Sequence, residues 1–214
     1  MKIKIKKKGK IKEFKLISSW SDVNLETWIK LIDFQTGSKT EEAENTIATL
    51  SNVPKDLIKK LELSDVATIL SVVAELQEGQ DSSLKKIIEI EGKRYGFHPD
   101  LDSITLGEFA DIETFIKTDI QKNLPELMAV LYRPVLKESK GGVYTIEAYD
   151  GDISIRAEEM KKMSAEQVQS ALVFFYHFVS VLLLTFPSYL TQQQKETKMP
   201  LQQNPSQKSG DTLE

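Results

Sequence analysis

The chain contains no cysteine. Disulfides, thiolate zinc sites and cysteine nucleophiles are therefore excluded, and the composition fits a reducing, cytosolic setting. Histidine is nearly as scarce. His98 and His177 lie far apart in the chain and match no metal-ligand spacing. Charge of one sign is not in excess: 28 basic residues face 32 acidic ones, for a net charge of -4 and a pI near 5.4. A dominant nucleic-acid surface is disfavoured by that balance. The N-terminus alternates lysine with isoleucine, and no apolar run of about 7–15 residues follows it. A secretory leader is not expected there.

Motifs that carry chemistry are missing in the same way. Gly141-Gly142 lacks the glycine frame and the following Lys-Ser/Thr of a phosphate loop. Asp150 and Asp152, with Glu147 nearby, lack the calcium-loop frame and its terminal glutamate, so a solvated turn is the better reading. Ser188 lies in no nucleophile elbow. His177, inside an apolar stretch with no second ligand beside it, reads as a core histidine. No catalytic residue, cofactor-binding residue or metal ligand is assigned, and no cofactor is expected. A non-enzymatic interaction protein is the expectation.

Forty per cent of the residues are apolar and 28% are charged, a globular balance. The apolar content is densest from Ala171 to Phe186, which holds no charge. Ser164 and Gln167 precede it as a capping box, and Pro187 marks its end. A helix that is apolar all round must be hidden on all sides, in a core or against a partner. At about 16 residues it falls short of the ~20 that a spanning helix needs, so a membrane is disfavoured.

From the N-terminus, Lys2 to Lys8 and Ile11 to Leu16 read as a β-hairpin turning at Gly9. Its eight lysines (2, 4, 6, 7, 8, 10, 12 and 15) alternate with isoleucine and read as an edge kept soluble. Nucleic-acid binding by this hairpin is the alternative. Asn24 caps a helix whose apolar face is Leu25, Trp28 and Leu31 or Ile32. Helices over 40–50, 54–62 and 64–78 follow. A second hairpin then forms from Lys85 to Ile90 and Arg94 to Phe97.

An offset of 81 residues places Trp20 on Leu101, Val23 on Ile104, Asn24 on Thr105, Leu25 on Leu106, Trp28 on Phe109 and Leu31 on Ile112. Thr105 with Glu108 is a full capping box. These correspondences predict an internal duplication of a hairpin-plus-helix unit. Trp20, Trp28, Phe97 and Phe109 read as core or staple residues. Further on, 123–132 reads as a helix, 138–142 as a loop and Val143 to Tyr149 as a strand. Asp150-Gly151 reads as a turn, with Ile153 to Arg156 as the partner strand and Ala157 to Lys162 as a short helix. The fold class expected is α+β, mainly α-helical with small hairpins. The expected division is 1–80, then 81–190 ending in the long apolar helix, then a polar, disordered tail over 191–214.

Over Ser103 to Glu113 and Leu127 to Val135, the chain resembles small proteins of tailed bacteriophages. Those encoded beside structural genes in phages of Bacteroidetes, the crAss-like group among them, are the ones it is similar to. Its architecture is similar to that of tail-assembly chaperones, although the length and the duplication depart from a short chaperone. The matched segments are packing motifs, so no functional residue is carried over. The resemblance implies a phage assembly protein in the host cytoplasm, a chaperone or adaptor for an apolar segment of a larger phage structural protein. A virion component is the alternative, and self-association stays open. The long helix would supply the contact through Phe174, Phe175, Phe178 and Leu182.

Overall fold

The computed structural model describes residues 1–7, 10–35, 37–78 and 83–176. Contacts divide the chain into Met1–Phe175 and Tyr176–Glu214, and Tyr176 is the described residue of the second unit. His177, Phe178, Leu182, Ser188 and the tail over 191–214 lie outside the described residues.

The fold is α+β and mainly helical, with two small antiparallel sheets. The first sheet is a hairpin of β1 (Lys2–Lys7) and β2 (Lys10–Lys15), with Ile3 opposite Phe14 and Ile5 opposite Lys12. Helices α1 (Leu25–Phe34), α2 (Lys39–Leu50), α3 (Lys55–Ile58) and α4 (Leu63–Glu78) follow. The second sheet has the order β3-β4-β5-β6, from Ile87–Ile90, Lys93–Phe97, Tyr132–Glu138 and Tyr144–Ile146. Between its strands run α5 (Leu106–Asp119) and α6 (Leu124–Leu131). Helix α7 (Ser154–Met160) and a last helix, α8, described over 165–176, complete the chain.

Caps explain where the helices begin. The Asn24 side chain accepts from the Thr27 amide, and Ser38 and Thr105 make full capping boxes with Glu41 and Glu108. Ser164 and Gln167 exchange bonds of the same kind at the start of α8, at 3.0 and 3.2 Å.

Three expectations are corrected. Ile153 to Arg156 is the start of helix α7, not a returning strand. The turn does form, with Gly151 at φ +82°, but four residues of alternation are outweighed by what a helix buries, namely Ala157 and Met160. The helix over 54–62 shrinks to Lys55–Ile58. The helix expected over 123–132 stops at Leu131, the loop expected over 138–142 begins after Glu138, and the residues between them form strand β5, in which Tyr132, Arg133 and Pro134 pair with Phe97, Gly96 and Tyr95. Pro134 cannot donate to a ladder, which hid the strand from propensity.

The two halves repeat one plan at the offset of 81. Each has a hairpin, then a 3-10 turn (Trp20–Asp22 and Leu101–Ser103), then a capped helix opening at Leu25 or Leu106. A second helix follows, ending at Leu50 or Leu131. The return to the hairpin matches as well. The bridge Leu16–Ser51 corresponds to the pair Phe97–Tyr132. The bond from the Ile17 amide to the Leu50 carbonyl, 3.0 Å, corresponds to that from His98 to Leu131, 2.8 Å.

The halves then diverge. The first keeps a two-stranded sheet and one buried cluster that includes Ile5, Leu16, Trp20, Ile47, Leu50 and Ile69. The second adds β5 and β6 and buries seven of the eight residues of α6. Residues 163–165 tie the halves together. Ser164 bridges Asn24, the Leu25 amide donates to the Met163 carbonyl, and Ala165 belongs to the first half's cluster.

Candidate functional site

Three places hold chemistry that packing alone does not require: a buried ionic cluster, an open groove, and apolar residues left exposed at the starts or faces of helices in the second half.

The ionic cluster sits at the start of α5. Glu108 is 1% exposed, and Arg133 of β5 lies against it. Its Oε2 accepts from the Thr105 amide and hydroxyl at 2.7 and 2.6 Å. Its Oε1 lies 2.7 Å from Arg133 Nη2 and 3.5 Å from His98 Nε2. Arg133 lies over the Tyr149 ring at 5.9 Å, and the Tyr149 hydroxyl donates to Asp111. Beside this set Arg156 donates to the Ala129 carbonyl at 3.2 Å and reaches Glu147 at 3.6 Å.

Burial pushes the Glu108 carboxyl up. The Thr105 bonds, Arg133 and His98 outweigh it and leave the group below its ordinary value. Burial holds the His98 imidazole below its usual range, against the attraction of Glu108. The Asp100 amide donates to His98 Nδ1 at 3.3 Å, which leaves the proton on Nε2, toward Glu108. Every member thus has a charge or hydrogen-bond partner, and the group fastens α5, β5 and the loop before them to one another. Sequence reading found Glu108 as a capping residue and missed Arg133, His98, Tyr149 and Asp111 as its neighbours. Their convergence comes from β5, the strand hidden by Pro134.

The groove lies in the first half. It is lined by Trp20 and Leu50, by Trp28, Leu31 and Ile32 of α1 with Gln35 just after it, by Ala43 and Thr46 of α2, and by Leu70 and Val73 of α4. It encloses about 410 Å³. Lys39 and Glu42 stand on its rim as an ion pair at 2.7 Å. Trp20 is 5% exposed, and its indole Nε1 has no hydrogen-bond partner among the described residues. A buried N–H without an acceptor is unusual and destabilising.

The apolar residues expected to dock a partner are now placed individually. Phe175 is fully buried with Val168 and Ala171 on the inward stripe of α8. Phe174 is 42% exposed, with its ring edge-on to Phe97 at 5.5 Å. Val173 is exposed beside it. Within the charge-free stretch expected to be hidden on all sides, the described residues 171–176 therefore have a buried and an exposed face, and 177–186 lie outside the described residues. Phe178 and Leu182 lie outside the described residues. At the start of α5, Leu106 is 81% exposed, whereas its counterpart Leu25 is fully buried. Trp20 and Phe97 are buried, as read, and Trp28 is partly so. Asp150 and Asp152 form a local turn in which the Asp152 amide donates to the Asp150 carboxylate at 3.1 Å.

Among the described residues, no group of three or more His, Asp or Glu is placed to hold a metal ion, and no helix is long and apolar enough to cross a membrane. Comparison with protein-family models, with curated proteins and with solved structures finds no match.

Proposed function

We propose that the chain is a non-enzymatic assembly protein of a tailed bacteriophage, a chaperone or adaptor that takes up an apolar segment of a larger structural protein in the host cytoplasm. The phage setting rests on the resemblance of residues 103–113 and 127–135. The binding role is supported by one observation above others, the unequal fate of Leu25 and Leu106.

In the first half an extended segment, Met163 to Ala165, lies across the start of α1 and bonds the backbone on both sides of Asn24. Leu25 is buried beneath it. In the second half the same leucine, at the same helix position, is left at the surface. A short segment with small and apolar side chains covers the equivalent place in the first half, which supports an occupant of the same kind here. Main-chain bonds would supply affinity and the leucine would supply the apolar contact. Phe174 and Val173 offer a second exposed apolar contact.

A photo-crosslinking amino acid at position 106 or 174, in cells producing the phage structural proteins, tests this reading. The expected result is a covalent adduct with one structural protein, and none from a control position on the outer face of α5 such as Lys117. Purified particles should lack the protein. Its presence there at fixed copy number would convert the reading to a virion component. No adduct at either position would overturn the adaptor role.

A further inference from the structure

We infer that the hairpin of β1 and β2 binds the phosphate backbone of duplex nucleic acid, without regard to base sequence. The inference does not rest on the adaptor reading, which concerns the start of α5 and the exposed face of α8.

The even balance of charge over the whole chain hides a division along it. Residues 1–15 hold eight lysines against one acid, Glu13, which leaves +7 there and -11 on the rest of a chain whose total is -4. The field of exposed charges fades over about 8 Å at physiological salt. A ligand at the hairpin therefore meets the +7 and not the total.

The register shows that these lysines are not placed for the hairpin's own stability. Lys2 stands directly opposite Lys15, and Lys7 opposite Lys10. Like charges opposed across a ladder are unfavourable. The second hairpin holds no such pair. It sets Glu89 opposite Arg94 and Ile90 opposite Lys93. Its cations Lys85, Lys93 and Arg94 each meet a carboxylate, of Glu166, Glu159 and Glu138. In the first hairpin Lys2 and Lys4 share Glu13, at 3.3 and 3.7 Å, and no ion pair joins Lys12 or Lys15 to another described residue. An edge kept soluble needs charge on its strands, but it does not need like charges set opposite one another. An anion that meets several lysines at once relieves that repulsion.

The face itself favours one kind of anion. Ile3, Ile5 and Phe14 pack toward the core, and the pleat turns Lys2, Lys4, Glu13 and Lys15 to the other side. There the side chains of Lys2 and Lys4 are 70% and 68% exposed. Alternate residues of a strand recur at about 6.8 Å, so the cations form a regular, flat array suited to an evenly spaced row of phosphates. All eight basic residues are lysines. They offer point charges, as phosphate binding needs, and not the planar fork of arginine that fixes a carboxylate or a guanine edge. No aromatic residue stands on this face for an unpaired base to stack on. A two-stranded ribbon is also narrow enough to follow a major groove about 12 Å wide. These features favour a duplex over a single strand and over an acidic protein.

The probe is a short, labelled DNA duplex of mixed sequence, added to the full chain and followed by fluorescence anisotropy from about 50 mM salt upward. Saturable binding is expected, with a slope of log affinity against log salt of about -3 or steeper, the value for phosphates at Lys2, Lys4 and Lys15. The double variant Lys2→Gln, Lys15→Gln should bind about tenfold more weakly and flatten the slope by about 2. Its urea midpoint should stay the same or rise, because an opposed pair of like charges has gone. Lys117→Gln with Lys122→Gln should bind as the unaltered chain does. No binding at the lowest salt, an affinity indifferent to salt, or an equal loss in the Lys117 and Lys122 variant would overturn the inference. So would tighter binding of the single strand. Displacement of the duplex by polyglutamate at equal charge concentration would overturn it as well, since the partner would then be an acidic protein. Crosslinking at position 106 reads another surface and is decided separately.

Discussion

At the scale of single residues, Glu108 decides the most. It caps α5, holds Arg133 and faces His98, and it does so almost out of reach of water. Glu108→Ala leaves a buried guanidinium without its counter-charge and should cost about 3–5 kcal/mol in urea unfolding. Its pH dependence has a definite sign. The folded-state values of Glu108 and His98 are both depressed, so the unfolded chain binds protons more readily. The stability they contribute is complete above the ordinary imidazole value of 6.5 and falls as the pH drops below it, first through His98 and then through the carboxylate range. Unfolding free energies measured between neutral and acid pH should decline in that order, and His98→Gln should flatten the upper part of the decline. Gly96 is the second decisive residue. A Cβ there would lie 2.5 Å from the Tyr144 ring and 2.8 Å from Ile146. Gly96→Ala should therefore destabilise by about 1–3 kcal/mol through overpacking between β4 and β6, measured by thermal unfolding.

At the scale of elements, the capped helices and both hairpins were legible, and strand β5, which joins the second hairpin to β6, was not. Asn24, Thr105 and Ser164 announce three helix starts in sequence because the cap is a local bond between residues three apart. Strand β5 was illegible because its register depends on β4, more than thirty residues earlier, and because a proline stands within it. The first turn of α7, over Ile153 to Arg156, was misread as a strand because its inward residue satisfies a partner elsewhere, Arg156 on the Ala129 carbonyl, whereas the part from Ala157 onward was read as a helix. The two first-turn leucines test the difference between the repeated elements. Leu25→Ala should cost about 2–5 kcal/mol, as a buried truncation does. Leu106→Ala should change stability by no more than about 0.5 kcal/mol, as a surface substitution does. Chemical denaturation of the two variants side by side checks both. Equal costs would mean that the starts of α1 and α5 are covered alike.

At the scale of the whole molecule, the duplication organises residues 1–135, and the segment over 161–165 joins the second half to the first. Both tryptophans belong to the first half, and all six tyrosines follow it, beginning at Tyr95. Because Ser164 bridges Asn24 and Ala165 sits in the first half's core, the halves should unfold together. Tryptophan emission and tyrosine absorbance should give one coincident midpoint in urea. Ala165→Asp, which puts a charge into that shared core, should lower the midpoint seen by both probes rather than by one. The sequence alone determined the helical α+β class, the caps, both hairpins and the offset of 81, since each rests on local periodicity or on matching residue types at fixed spacing. Tertiary structure alone decided which members of an equivalent pair are covered. Leucines at 25 and 106 carry the same local signal, and so do the aromatic side chains at 174 and 175. Burial depends on whether distant chain arrives to displace the water, and in this fold Met163 to Ala165 reaches Leu25 and leaves Leu106 exposed.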